Sequence, residues 1–532
     1  MCAQHIFVES VSAMTSTRAG HCFPFEPPVQ QGGQDGRSCR YRAGSFVSVG
    51  NELLQDWLSW GMDNMSDANR CMLMDEFKAR PNRLFASICS GTESPLLIWG
   101  AYLSCMSDRG LDGSLIHQFS CEINAEKRKF MKSMFEGSRF HVQRIFNDAT
   151  RLWNHTAVDT IGGCTGVAAD ADELWAGFPC QDVSRLRLSA LRQGAASVVR
   201  NGNLRTGSVF KSICHYIESR PLGSFRAVVL ENVMGLMDQM GPETSNLDSC
   251  IDLLGSLQKG AAIESFVFKL SPTLFGFPVV RWRLYILGIP KRSLEMAHMA
   301  AERAGSLAQQ TLVDLTTNAQ INLDDLLLDE DHPSVVSMLS SYGPRRARKR
   351  QCRGLWAEQH AQLMQDQGID WWEPSWPTAD VIQKYPGLQM LTDRQMDIVR
   401  ATVGMTFPGE KIMCDLSQSM GRARPQPAGM SCIVTPKGKL YLGHRCRFIH
   451  GIEALHLQGL HFGSQQHPLL VEHSSALLQD LAGNSFHVWC AAAVHLTKEL
   501  VLARLSSDAR KVTCVINRPA RSLACEPADE DY

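Results

Sequence analysis

Leu174-Trp175-Ala176-Gly177-Phe178-Pro179-Cys180-Gln181 reads as a buried strand that stops abruptly and hands a cysteine to a loop. Arg226-Ala227-Val228-Val229-Leu230-Glu231-Asn232-Val233 repeats that layout with a carboxylate in place of the thiol. Two apolar strands, one ending in a thiol and one in an acid, predict a site at the carboxyl edge of a parallel sheet.

Outward from these strands the chain alternates between two periodicities. Leu84 to Cys89 is apolar and ends in Ser90-Gly91. Ile116 to Ser120 is closed by Cys121-Glu122, and Phe140 to Phe146 ends at Asn147-Asp148. Helical spacing predicts a helix from Ala125 to Phe135, with Phe130, Met134 and Phe135 on one face, and another near Val209 to Ile217. Phe266 to Leu270 and Arg283 to Leu287 read as a closing antiparallel pair. The alternation predicts an α/β fold: a Rossmann-like, doubly wound mixed sheet. Leu53, Leu54, Trp57 and Leu58 mark a helix that covers one side of it.

The pattern breaks after Pro290. Residues 300–430 carry an acidic stretch (Asp324, Asp325, Asp329, Glu330, Asp331) and a basic cluster (Arg345, Arg346, Arg348, Lys349, Arg350, Arg353). A tryptophan-proline patch follows from Trp371 to Pro377. The expected division is an N-terminal extension over 1–80, with residues 1 to about 45 poorly ordered and a helix near 50–78, and a main domain over 81–295. A second, smaller lobe covers 296–430, residues 431–505 complete the main domain, and a mobile tail covers 506–532.

The 532 residues suffice for several cores. A formal net charge of -1 argues neither for nor against nucleic acid, so any basic surface must be local. None of the 18 cysteines forms a C-x-x-C pair, which argues against a metal site of zinc-finger type and for a reducing compartment. MCAQHIFVES lacks the basic start and apolar core of a secretory signal, and LLIWGAYL is too short to span a bilayer. An intracellular protein without a membrane partner is expected, nuclear if the source is eukaryotic.

Read in order, GFPCQDVS (177–184), VVLENV (228–233), FGFPVVRWRLYILG (275–288), RFIHGIEALHLQG (447–459) and LAGNSFHVW (481–489) resemble the cytosine-5 DNA methyltransferase family. The resemblance covers about residues 83–295 and 430–500. It implies a class I methyltransferase sheet, with residues 296–430 as a target-recognition lobe, S-adenosylmethionine as methyl donor and double-stranded DNA as partner. In this reading Cys180, following Pro179, is the nucleophile that adds to carbon 6 of cytosine and makes carbon 5 able to attack a methyl group. Glu231 is the acid that hydrogen-bonds nitrogen 3, its pKa raised by the apolar strand behind it, and Asn232 shapes the turn. By the same resemblance Arg283 meets the cytosine carbonyl oxygen, and Arg281, on the same strand face, supports the nucleophile loop. Val279 stands where the family has glutamine.

The resemblance also assigns the donor's pocket. Cys89, Ser90, Gly91 and Thr92 form the glycine turn, with Glu93 in place of the family's second glycine. Glu122 is placed to accept from the ribose hydroxyls, Asp148 to meet the adenine and Val209 to lie alongside. Asn484 and Ser485 close the pocket. Ser184 to Gly202, with Arg185, Arg187, Arg192 and Arg200, reads as a loop closing over a base flipped out of the duplex. The basic cluster could grip phosphates, act as a nuclear targeting signal or be a solvated loop. Two alternatives stand beside the DNA enzyme. One is a tRNA enzyme of the same family, whose Cys-Phe-Thr tripeptide this chain lacks. The other is a non-catalytic relative that binds nucleic acid or cofactor.

Overall fold

Short apolar runs that end together build the sheet. The computed structural model describes His21–Cys22 and residues 52–516, apart from 137–141, 185–197, 239–243, 342–357, 366–385, 404–411, 420–425, 463–466 and isolated positions. Eight strands form the main sheet: β1 (His21–Cys22), β2 (Asn82–Ile88), β3 (Ser114–Cys121), β4 (Ile145–Phe146), β5 (Glu173–Ala176), β6 (Ala227–Val233), β7 (Ile263–Leu270) and β8 (Arg283–Pro290). Their order is β1-β7-β8-β6-β5-β2-β3-β4. All neighbours pair in parallel except β6–β8 and β7–β8, so β8 alone runs backwards. This is the doubly wound α/β sheet that the alternation predicts, closed by the expected antiparallel pair.

Register sets the position of the site. Phe146, Cys121, Ile88, Ala176 and Leu230 stand in one hydrogen-bonded row across five strands. The next residues along each chain, Asn147, Glu122, Cys89, Gly177 and Glu231, therefore begin a common rim. The reversed β8 brings its first residue, Arg283, to the same rim opposite Val233.

Helices cover both faces. Ala125–Phe135 forms as predicted because the Asn124 side chain accepts hydrogen bonds from the Glu126 and Lys127 amides at its start. Glu52–Asp63 buries Leu54, Trp57, Leu58 and Met62. The apolar helix Val488–Ile516 runs through one core layer, flanked by Ser94–Ser107 and Ala301–Asp314. A three-stranded sheet of β9 (Met413–Asp415), β10 (Leu440–Leu442) and β11 (Arg447–Phe448) stands apart from the main one.

Three boundaries differ from the expectation. The mobile tail does not begin at Ser506: the helix runs on to Ile516, with Leu505 buried, Ala509 packed on the core and Arg504 3.0 Å from Asp508 one turn on. Ala301–Asp314 buries Ala304, Ala308 and Leu312 in the same core as that long helix, so the residues just after 296 pack with the catalytic body. His21–Cys22 of the N-terminal extension adds an edge strand beside β7. The acidic stretch is not a free surface. Asp324 and Glu330 pair with His444, Arg445 and Arg447, which staples 322–331 to the turn before β11. The strand predicted from Phe140 to Phe146 is confined to Ile145–Phe146, with Val142 to Arg144 irregular; Phe140, His141, the basic cluster and the tryptophan-proline patch lie outside the described residues.

Candidate active site

The cysteine loop is clamped at both ends. Buried Asn232, on β6, donates from Nδ2 to the Phe178 carbonyl at 3.1 Å, so the glutamate strand holds the loop just before Pro179. After the cysteine, Val183 N–H closes a turn onto the Cys180 carbonyl. Buried Asp182 accepts from the backbone and hydroxyl of Thr206, at 3.0 and 3.1 Å, in the first turn of helix Leu204–Glu218. Gly177 allows a close approach to the first strand's end: a Cβ there would lie 3.3 Å from the Cys89 carbonyl oxygen. Cys180 itself is half-buried.

Glu231 and Arg283 face each other on adjacent antiparallel strands, with Nε 3.2 Å from Oε1. Burial raises the Glu231 carboxyl above its ordinary value, and the Arg283 and Arg281 charges pull it back only in part. Burial also raises the Cys180 thiol. Glu231 raises it further, while Arg283 and Arg281 lower it. One thiol, one acid and two guanidinium groups thus share a single electrostatic neighbourhood.

Arg281 departs from its expected place. β8 begins at Arg283, so Arg281 lies in the irregular run before the strand. Its guanidinium donates to the carbonyls of Val434, Gly483 and Ser485, at 2.8, 3.1 and 3.1 Å, and not to the cysteine loop. It is fully enclosed, and burial together with Arg283 lowers its pKa to about 10. Its bonds tie the 431–436 segment and the last motif to the rim. Val279 is buried and bridges to Ser431 in the position where the family has glutamine.

The proposed donor pocket adjoins this site. Cys89, Gly91 and Glu93 all have positive φ, at 58°, 67° and 52°. Space beside Gly91 is open, since an added Cβ would meet nothing within 4 Å. The buried Thr92 hydroxyl has no hydrogen-bond partner. Glu93, with no exposed surface, accepts from the Ser87 and Ser90 hydroxyls on Oε1, and the Ser120 hydroxyl also acts on its carboxyl. Burial raises its pKa against the pull of those hydrogen bonds. Glu122, Lys127 and Asp148 are the charges acting on the Cys89 thiol, so the ends of β2, β3 and β4 converge. Glu122 keeps one bond, from the Asn124 amide at 2.9 Å, and burial raises its pKa.

Other predicted residues are occupied locally. Asp148 caps the turn Ala149–Arg151 through the Thr150 amide and hydroxyl. Asn484 bonds back to Asp480, and Ser485 to the Ala482 carbonyl. Val209 packs at the edge of the second core. Arg200 is held by Thr244 and Asp252, while Arg185, Arg187 and Arg192 lie outside the described residues. In the penultimate motif, buried Glu453 takes two bonds from Arg447 and caps its own helix. Sequence reasoning missed Asp182 and Lys127. Lys127 reaches Asp480 at 2.8 Å and joins helix Ala125–Phe135 to Ser475–Asn484. Among the described residues no group of three His, Cys, Asp or Glu side chains is arranged to hold a metal, and no helix is long and apolar enough to cross a membrane.

Comparison with known proteins places this rim in context. The chain is 25% identical over 423 residues to a DNA (cytosine-5-)-methyltransferase, DMT5, of Cryptococcus neoformans; the match takes in 75% of this chain and 16% of that protein. This chain therefore spans a small part of its relative's length. The crystal structure of the Schizosaccharomyces pombe Dnmt2 methyltransferase is 11% identical, covering 78% of this chain and 97% of that one, with a TM-score of 0.37. The Entamoeba histolytica methyltransferase EhMeth is 12% identical, with 79% and 98% covered and a TM-score of 0.37. Residues 109–494, which include the cysteine loop, the glutamate strand and both closing motifs, match the C-5 cytosine-specific DNA methylase family, and the chain belongs to that family of cytosine methyltransferases.

Proposed function

We propose that the protein transfers a methyl group from S-adenosylmethionine to carbon 5 of cytosine in double-stranded DNA, through a covalent Cys180 adduct on a flipped-out base. The observation that carries this reading is the shared surroundings of the Cys180 thiol, the Glu231 carboxyl and the Arg283 guanidinium. An acid pushed toward its protonated form suits a donor to the ring, and the guanidinium groups beside the thiol favour the thiolate that the addition needs.

The Cys180 thiolate adds to carbon 6, and the ring electrons move toward carbon 5. Glu231 donates a hydrogen bond, or its proton, at nitrogen 3, and Arg283 stabilises the carbonyl oxygen next to it. S-adenosylmethionine supplies an electrophilic methyl group, which carbon 5 takes. Water then takes the carbon 5 proton, the freed electron pair re-forms the carbon 5–carbon 6 double bond and expels the Cys180 thiolate, and nitrogen 3 returns any proton it took to Glu231. Glu122, Asp148 and the strained turn from Cys89 to Glu93 would hold the donor. The open space at Gly91 and the unpartnered Thr92 hydroxyl fit a polar ligand there. The curated relative's name supports DNA over RNA.

The test is incubation with S-adenosylmethionine and a duplex carrying 5-fluorocytosine. Fluorine at carbon 5 blocks the elimination step. A covalent complex is expected, absent in Cys180→Ala. An adduct with 5-fluorocytosine RNA alone would transfer the chemistry to RNA, and donor binding with no adduct on either would leave a non-catalytic relative.

A further inference from the structure

At the opposite rim of the sheet lies a cavity of about 710 Å³, bordered by the starts of β6 and β7, the end of β8 and the long C-terminal helix. From Arg226 to Glu231 along β6 is about 16 Å at a strand's rise, so this cavity and the cysteine site stand at opposite ends of one strand. Arg80, Arg226, Arg292 and Arg510 line it, with Glu76 as the one acid among its lining residues. Glu76 is buried and meets three of them: Arg226 at 2.6 Å, Arg80 at 3.9 Å and Arg510 at 3.9 Å. One carboxylate thus serves three of the five arginines that line the cavity.

Two of those groups have spare capacity. Nη1 of Arg226 is buried with no hydrogen-bond partner, although its side chain is only 10% exposed. Arg292 is exposed and makes no ion pair among the described residues. Arg220, a fifth lining arginine, is already committed to Asp170 and the Ala168 carbonyl. Arg226's charge is the leading cause that lowers the pKa of Arg80, ahead of burial, which is the mark of crowded positive charge. The rest of the wall is apolar, with Phe225 and Leu505 buried and Met296 exposed.

We infer that this cavity is a second ligand site, which takes a small molecule bearing phosphate groups on an apolar body. Guanidinium groups pair with phosphate oxygens in forked geometry, and a buried donor without a partner is satisfied by such an oxygen. The volume is that of a small-molecule pocket. The apolar wall would take the ligand's body, and the site's distance from the cysteine rim makes the ligand an effector and not the methyl acceptor.

Calorimetric titration of the full chain with inorganic pyrophosphate tests this. Binding is expected, weakened several-fold by Arg292→Ala and by Arg510→Ala, and at least tenfold by both together. These two side chains are exposed, so the variants keep the fold, and S-adenosylmethionine affinity should not change. Arg226→Met should abolish pyrophosphate binding. No pyrophosphate binding, or binding indifferent to these arginines, would overturn the site. So would a hexaglutamate peptide that binds through them while pyrophosphate does not, which would make the cavity a dock for an acidic protein segment. Competition between duplex DNA and pyrophosphate, lost in the double variant, would assign the arginines to backbone phosphates and also overturn it. A 5-fluorocytosine adduct that forms normally while pyrophosphate fails to bind would sink this site alone.

Discussion

Nε of Arg283 stands 3.2 Å from Oε1 of Glu231, and both charges act on the Cys180 thiol. They act in opposite directions: the carboxylate raises the thiol pKa and the guanidinium lowers it. Removing the carboxylate charge in Glu231→Gln should therefore shift the pH midpoint of Cys180 alkylation downward, and Arg283→Ala should shift it upward. Iodoacetamide labelling across pH, read on the Cys180 peptide by mass spectrometry, checks both without any nucleic acid. Unmoved midpoints, or shifts of the same sign, would show that the three groups are not electrostatically coupled.

The same pair shapes the pH dependence of methyl transfer. The proposed reaction needs a deprotonated thiol and a protonated acid, yet burial raises both pKa values from ordinary ones that already lie in the opposite order. The reactive combination is then a minor species. Its population climbs with pH up to the Glu231 value, stays level and falls only above the Cys180 value. In Glu231→Gln most of the rate should be lost, the fall at high pH should vanish, and the rise should move up to the Cys180 value. A rise that stays at its parent position in that variant would assign the titration to another group.

Asn232 is expected to matter through position, because its amide reaches the Phe178 carbonyl and not the base. Asn232→Ala leaves that carbonyl without its donor, at a cost of about 1–3 kcal/mol, and frees the loop that carries the thiol. A displacement of the nucleophile by about 1 Å can cost roughly 10²-fold in rate. The expected outcome is a kcat lower by one to two orders of magnitude with unchanged S-adenosylmethionine affinity. A kcat within twofold of the parent would remove the clamp from the mechanism.

Much of this arrangement is legible in the sequence because it is local. An apolar run that ends in Cys180 or Glu231 marks a strand and its rim, and Asn124 announces the start of Ala125–Phe135. The contacts of Arg281 are not legible in that way. Its partners at Val434, Gly483 and Ser485 are 153 to 204 residues away, and no periodicity points to them. Ser506 misleads for a different reason. Ser506-Ser507-Asp508-Ala509-Arg510-Lys511 is polar enough to read as a tail, yet it continues a helix that packs on the core through Leu505 and Ala509.

Glu93 sits where the family has glycine, at a positive φ that glycine would adopt without strain. Reverting it should nevertheless weaken donor binding. The Ser87 and Ser90 hydroxyls both donate to this carboxyl, so Glu93→Gly leaves two buried hydroxyls beneath the turn without their acceptor. Glu93→Gln keeps an acceptor oxygen. Titration calorimetry with S-adenosylmethionine should show several-fold weaker binding for Glu93→Gly and a change within about twofold for Glu93→Gln. Equal or tighter binding by the glycine variant would make Glu93 a plain liability in the loop.

Beneath the sheet, Lys498 joins Glu173 at the start of β5 to Glu499, the latter at 2.9 Å, and Arg83 of β2 lies 3.6 Å from Glu499. All four side chains are at most 1% exposed. Burial alone would raise both acids. For Glu173 it prevails, whereas Lys498 and Arg83 outweigh it at Glu499 and hold that group ionised well below its usual value. Lys498→Met would leave two buried acids with Arg83 alone, and breaking such a set costs about 3–5 kcal/mol. The loss should itself depend on pH. Without the ammonium group both folded-state pKa values rise, and a group with a raised folded pKa favours the fold at low pH and loses that contribution as pH climbs through the folded value. Chemical unfolding of Lys498→Met should therefore show a larger deficit against the parent at pH 8 than at pH 5.5. An equal deficit at both would mean that the acids do not take up protons when the lysine is gone.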